Sequence, residues 1–288
     1  MITVPPDFAV DHGDDVLAWR DTLPALATKF CARWELAPDG DLMNGYVAVV
    51  LPVRRADGSG AVLKLTWLDD ETRQEPLALR AWDGDGVVRL LDSDDEHGAL
   101  LLERLDHRRS LRDTCIEEAL EVTGGLLRRL RLPAGPEFRR VEVADLAEGN
   151  ANLGGVVPER FIRLAGELGR ELAATAGNTL ANQDLHYENV LRADREPWLM
   201  IDPKPIAGDR EFGVIPLLWN RSAELDGERG VLERLAALCD LGELDAERAR
   251  LWTLYRAVDN WLWCTEAGET GTAEFCESVA RLLAVKEP

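Results

Sequence analysis

The apolar positions of this chain change their spacing about a third of the way along. Between residues 33 and 68 they come in short runs, "RWEL", "YVAVVLPV" and "AVLKLTWL", separated by turn formers at Asp39-Gly40, Asn44-Gly45 and Asp57-Gly58. Runs of this length, divided by Asp-Gly and Asn-Gly, predict a succession of hairpins in an antiparallel sheet. Residues 87 to 91 ("VVRLL") and 99 to 105 ("ALLLERL") predict two further strands across the turn-rich "DSDDEHG". After Leu105 the spacing turns helical: Ile116, Ala119, Leu120, Thr123, Leu127 and Leu130 recur within 114 to 132. A second helix is expected from Pro158 to about Ala176. A third is expected over 245 to 267, where Leu251, Leu254, Tyr255, Val258 and Leu262 form one stripe. A sheet-rich first third followed by a helical remainder predicts an α+β protein of two lobes, 1–104 and 105–288, with a cleft as the natural place for chemistry.

One hairpin is expected inside the helical part. Between Asn189 and Asp202 lies "VLRADREPWLMI", apolar at both ends with the polar turn Asp194-Arg195-Glu196 in the middle. Arms pairing around that turn would set Asn189 and Asp202 opposite one another at the open end, about 5 Å apart. Asp184 precedes them on the entering loop. An amide oxygen and a carboxylate so placed suit a hard cation such as Mg²⁺ that keeps phosphate oxygens in its shell. A second carboxylate beside them could orient a hydroxyl and accept its proton. Lys64, one of four lysines in an arginine-rich chain, lies in an otherwise apolar strand. Period-two alternation puts it on one face with Val62 and Thr66, and a lysine there needs a partner.

Composition narrows the picture. The chain has 288 residues, 46% hydrophobic with nine Trp, enough to bury a substantial core. Its net charge of -20 argues against a nucleic-acid partner and favours a cationic one. No apolar run approaches the roughly 18 residues that span a bilayer, and the amino terminus lacks a secretory pattern, so no membrane partner is expected and the location is read as cytoplasmic. Cys31, Cys115, Cys239, Cys264 and Cys276 are odd in number and form no CxxC pair, which reads as small buried hydrophobes. No G-x-x-x-x-G-K-[ST] occurs, which excludes the P-loop class. Residues 257 to 280 carry Asp259, Glu266, Glu269, Glu274 and Glu277 without one Lys or Arg. On a helix Asp259, Trp263 and Glu266 share a face that could take guanidinium or ammonium groups, or could simply be solvated.

"DLHYEN" followed by "IDP" closely resembles the catalytic and metal loops of aminoglycoside phosphotransferases, relatives of the protein kinases. "LPALATKFCARWEL", "VLPVRRADGSGAVLKL", "LRAWDGDGVVRLLD", "LLLERLD", "REPWLMIDPKPIAGD" and "PLLWNR" extend the likeness to the branch containing streptomycin 6-kinase and hydroxyurea phosphotransferase, over about residues 12 to 266. The resemblance implies a bilobal protein-kinase-like fold, with a sheet lobe and a larger helical lobe. It implies ATP and Mg²⁺ as cofactors and a small cationic antibiotic as acceptor, streptomycin first. By position it implies that Asp184 is the catalytic base or hydroxyl-orienting group and that Asn189 and Asp202 bind Mg²⁺. Lys64 would reach the ATP phosphates and pair with a glutamate, for which both Glu71 and Glu75 stand open. The alignment points to Glu75, but Pro76 as first helical residue would make Glu75 a cap. Glu103 and Leu105 would meet adenine, and loop 39–45, with Asn44 and Gly45, would cover the phosphates. Trp219 and Asn220 join Asp259, Trp263 and Glu266 as acceptor candidates. His186 would order the loop by hydrogen bonding, and Glu188 would be only solvated. Two departures stand out: Asn182 where the family usually has His, and Gly213 where "GDPxxD" usually ends in Asp. They motivate the alternatives of a silent kinase-fold binder or a kinase with another acceptor. A two-carboxylate glycosidase would explain neither Asn189 nor Lys64.

Overall fold

A helix that the hydrophobic pattern does not predict opens the structure, a computed structural model that describes residues 2–6, 8–9 and 13–284. Helix α1 (Asp14–Arg33) buries Val16, Leu23, Ala27 and Phe30. Arg33 closes it, so "RWEL" leaves a helix and is not a strand. Its buried residues join Val49, Leu51, Val53, Leu63 and Leu65 in one core, so the helix covers a face of the sheet. That sheet comprises β1 (Ala37–Pro38), β2 (Met43–Asn44), β3 (Ala48–Arg54), β4 (Gly60–Thr66), β5 (Leu90–Asp94) and β6 (Ala99–Glu103), in the order β1-β3-β4-β6-β5 with β2 on β3. Between β4 and β5 lies α2 (Glu75–Trp82), and β7 (Asp106–Ser110) follows β6. The strand expected at 87 to 91 begins only at Leu90. Val87 bridges Met200 instead, and Val88 N–H donates to the Met200 carbonyl at 2.8 Å.

The chain forms two compact units, Met1–Arg108 with Leu191–Lys204, and Arg109–Val190 with Pro205–Pro288. The second is built from α3 (Ile116–Arg129), β8 (Leu132–Pro133), α4 (Leu146–Asn152), α5 (Glu159–Ala174) and β9 (Thr179–Asn182). The hairpin expected around residue 195 is present as β10 (Val190–Arg192) paired with β11 (Trp198–Met200). After β12 (Pro205–Gly208) come α6 (Pro216–Trp219), α7 (Gly227–Gly242), α8 (Ala246–Glu266) and α9 (Thr270–Leu283). The expected helices at 114–132, 158–176 and 245–267 correspond to α3, α5 and α8. Antiparallel β12 pairs with β9, Pro205 opposite Asn182.

The core of the second unit centres on α8. Trp252 and Tyr255 are fully buried, and Phe212 meets the Trp252 ring edge-on at 4.9 Å. Such an edge-to-face contact adds about 1 kcal/mol to the burial of both rings. Asp209 lies among them with a buried carboxylate. It accepts from Trp252 Nε1 at 2.8 Å, Arg248 Nε at 2.5 Å and Gly177 N at 2.9 Å. Three donors on one carboxylate tie β12 to α8 and to the loop before β9. Of the cysteines, Cys239, Cys264 and Cys276 are buried as expected, but Cys31 is half-buried and Cys115 is exposed. Cys115 caps α3 in extended conformation, outside the core. Among the described residues no helix is long and apolar enough to cross a membrane.

Candidate active site

Strand β4 carries Lys64 opposite Val50 of β3 and Leu100 of β6, so its stem is enclosed by apolar neighbours. Only 5% of the residue is exposed. Its ammonium donates to both oxygens of Glu75, at 2.6 and 2.8 Å, and to Asp202 Oδ1 at 2.6 Å. The lysine is therefore enclosed and doubly paired, and its ammonium does not lie in water. Glu75 is its glutamate partner, whereas Glu71 lies 3.6 Å from Lys204. The cap expectation fails because α2 begins one residue earlier than Pro76 suggests. Glu75 already has helical dihedrals, φ -52° and ψ -51°, and its side chain is buried.

The charges of this trio do not cancel: two carboxylates share one ammonium. Burial alone would push Lys64 down, but Asp202 and Glu75 outweigh it and hold the ammonium above its usual range. Burial pushes Glu75 up to about 7, with Lys64 pulling it part of the way back and Asp202 adding to the rise. Asp202 has half its side chain exposed and φ of 51°, a left-handed conformation that aspartate tolerates better than most residues. A site with surplus negative charge beside a fixed ammonium suits a cation and an anion bound together.

Asp202 belongs to the first unit because the β10–β11 hairpin is fastened there. At its tip Arg195 donates from Nε and Nη2 to Glu103 at 3.2 and 3.0 Å, from Nη1 to the Gly84 carbonyl at 2.7 Å, and from Nη2 to the Val87 carbonyl at 2.9 Å. A planar guanidinium meeting a carboxylate through two donors fixes direction as well as distance. Sequence reasoning treats Arg195 only as a polar turn residue, and nothing adjacent to it in the chain marks its partners. Glu103 thereby has its carboxylate engaged by Arg195, and by the Arg89 N–H at 3.1 Å. Leu105 is half-buried two residues on. Asn44 and Gly45 lie in the β2–β3 hairpin, which Gly45 N–H closes on the Ala48 carbonyl at 2.9 Å.

In the second unit, Asp184 and Asn189 bracket one short loop. Asp184 follows β9, and a single 3₁₀ turn, Tyr187–Asn189, ends at Asn189. Asn189 Nδ2 donates to the Asp184 carbonyl at 3.5 Å, which leaves its amide oxygen as the atom suited to a hard cation. Asn182 Oδ1 accepts the Asp184 N–H at 3.0 Å. Glu188 is not merely solvated: its carboxylate meets Arg112 and takes a hydrogen bond from Asn220 Nδ2 at 2.9 Å. His186 Nδ1 stands 3.8 Å from that carboxylate, too far for a hydrogen bond. Asn220, expected toward the acceptor, thus has its amide nitrogen on the loop that holds Asp184 and Asn189, and Trp219 beside it is half-buried. On α8, Asp259 is half-buried, and burial raises its carboxyl while Arg256 pulls it back. Trp263 is 51% exposed and Glu266 is exposed. A cavity of about 420 Å³ between residues 143–147 and α5 is lined by Asp145, Glu159, Arg163 and Arg170, and none of the expected site residues lines it.

The family model for aminoglycoside/hydroxyurea antibiotic resistance kinases matches residues 33–268. This chain belongs to that family. Membership makes it a phosphotransferase, in agreement with the sequence reading. It is 43% identical to a streptomycin 6-kinase of Streptomyces griseus, over 98% of this chain and 97% of that one. It is 45% identical to a hydroxyurea phosphotransferase of Kitasatospora aureofaciens, over 91% of this chain and 78% of that one. A thermostable mutant of aminoglycoside phosphotransferase APH(4)-Ia, solved with ADP and hygromycin B, matches with a TM-score of 0.62 at 15% identity, over 91% of this chain and 100% of that one. The α+β fold of this resistance kinase is accordingly the protein-kinase-like one.

Proposed function

We propose that this resistance kinase transfers the γ-phosphoryl group of ATP to a hydroxyl of a small cationic antibiotic, with the 6-hydroxyl of streptomycin as the leading acceptor. The observation that carries this reading is the buried Lys64–Glu75 pair, whose ammonium also meets the half-exposed Asp202. A lysine held rigidly by one glutamate is a preformed clamp for polyphosphate oxygens. Residues 1–104 form the nucleotide-binding part, with Glu103 at adenine, joined there by Leu105 just past the boundary, and with Asn44 and Gly45 over the phosphates. Residues 105–288 supply catalysis and the acceptor site. Asp184 orients the acceptor hydroxyl and accepts its proton. Asp202 and Asn189 offer the carboxylate and amide oxygens that fit Mg²⁺, and the ion, when bound, neutralises phosphate charge. Asp259, Trp263 and Glu266 draw in the cationic acceptor. The enzyme works in the cytoplasm, on a small molecule and not on nucleic acid or membrane.

The likeness to a streptomycin 6-kinase and, at similar identity, to a hydroxyurea phosphotransferase makes hydroxyurea the second acceptor to test. Incubation with ATP, Mg²⁺ and each compound, followed by mass measurement of the compound, is expected to show one added phosphate on streptomycin. The Asp184→Ala variant is expected to lose that transfer while binding ATP nearly as well as the parent. Full turnover by the variant refutes the role of Asp184, and an unmodified drug with the wild-type protein supports a silent binder.

A further inference from the structure

Asn182 and Gly213, distant in sequence, meet at one contact in the structure. Asn182 ends β9 with only 8% of its surface exposed, and its side-chain oxygen accepts the N–H of Asp184 two residues on. This is an Asx turn, in which a side chain fixes the direction of the backbone ahead of it. Gly213 ends the 3₁₀ turn Arg210–Gly213. A Cβ on Gly213 would stand 2.1 Å from the Asn182 carbonyl oxygen, 3.2 Å from its carbonyl carbon and 3.5 Å from Gln183 Cα. All three are backbone atoms of the segment leading into Asp184, and none can swing aside as a side-chain tip can. Gly213 does not have positive φ, so close approach and not backbone conformation excludes a side chain there.

The turn bearing Gly213 is itself immobilised. Arg210 donates to the carbonyls of Leu127 at 2.9 Å, Gly242 at 3.0 Å and Glu243 at 2.6 Å. Phe212 packs edge-on against Trp252, and the Arg256 guanidinium lies 4.3 Å over the Phe212 ring. The turn therefore acts as a fixed stop against the back of the strand that delivers Asp184.

Resting on the reading of Asp184 as the catalytic group, we propose that Asn182 is a positioning residue for Asp184 and that Gly213 is its steric companion. With no side chain at 213, the turn can seat directly on the Asn182 backbone, and the Asn182 amide then sets the direction of residue 184.

The test uses Asn182→Ala, Asn182→Ser and Gly213→Ala in the full-length protein, with wild type and Asp184→Ala as controls. Phosphate transfer by wild type and none by Asp184→Ala establishes the parent reading independently. Asn182→Ala is then expected to lower kcat at least about tenfold, as a small misplacement of a reacting group can. The KM for ATP and the melting temperature should stay close to wild type. Asn182→Ser, which keeps a shorter acceptor, is expected to recover most of kcat. Gly213→Ala should lower kcat likewise, and the double Ala variant should lose little more than the worse single one. Amide hydrogen exchange gives a readout that needs no turnover: Asn182→Ala should lose protection at 184, with the rest of the second unit unchanged. Unchanged protection at 184 overturns the proposal. So does kcat near wild type in Asn182→Ala, a serine variant no better than alanine, or a kcat loss matched by equal loss of stability.

Discussion

At Glu75 a single buried carboxyl links stability to pH. Its pKa is pushed from the usual 4.5 up to about 7 by burial, so the folded protein holds that proton more tightly than the unfolded chain. Its stabilising contribution is complete below about 4.5 and is lost as pH rises through about 7. Denaturant titrations across that window are expected to show wild type losing stability relative to Glu75→Gln as pH rises, because the glutamine does not titrate. A flat difference would show that Glu75 ionises normally. At this scale the sequence was informative about which groups matter and poor at choosing between neighbours. Lys64 stood out by its rarity and its place in an apolar strand. Between Glu71 and Glu75 the local residues gave no decision and only the resemblance favoured Glu75, because the turn that aims one inward and the other toward Lys204 depends on where α2 begins.

At the scale of elements, the hairpin β10–β11 depends on Arg195. Arg195→Ala removes the hydrogen bonds to Glu103, Gly84 and Val87, at an expected loss of about 2–4 kcal/mol of stability. Asp202 lies two residues beyond β11, so the KM for the ATP–Mg²⁺ complex is expected to rise. Urea denaturation and initial-rate kinetics check the two effects, and an unchanged KM would separate the hairpin tip from the site. On α8, Trp263 is half exposed, so its loss should leave the fold intact. Trp263→Ala is expected to cost about 1–2 kcal/mol of cation-π attraction, roughly a five- to thirtyfold rise in KM for a cationic acceptor, with no change in KM for ATP. Helices with dense apolar stripes, α3, α5 and α8, were legible in sequence. Helix α1 was not. Its buried positions Val16, Leu23, Ala27 and Phe30 are sparse, and only the sheet they cover makes that dilute stripe decisive.

For the whole molecule the net charge of -20 is the dominant long-range term. Like charges repel most in the compact state, and salt shortens their reach from about 30 Å at 0.01 M to about 8 Å at 0.15 M. Raising salt over that range is expected to raise the melting temperature by several degrees, measured without nucleotide. A fall instead would mean that ion pairs such as Arg80–Asp95 and Arg104–Asp39 outweigh the repulsion.

Local order along the chain was enough to mark β3, β4, β6 and the β10–β11 hairpin of the first unit and α3, α5 and α8 of the second, because each is written in adjacent residues or a short spacing; β1, β2, α1, α7 and α9 were not marked. It also singled out Lys64, Asp184, Asn189 and Asp202 as candidates. The partners of those residues were decided only by the tertiary structure. Lys64 meets Asp202 across 138 positions, Arg195 meets Glu103 across 92, and Gly213 closes on the Asn182 backbone. No local pattern encodes such meetings, since they arise only when separate elements pack and each buried charge or close backbone approach must find its one compatible neighbour.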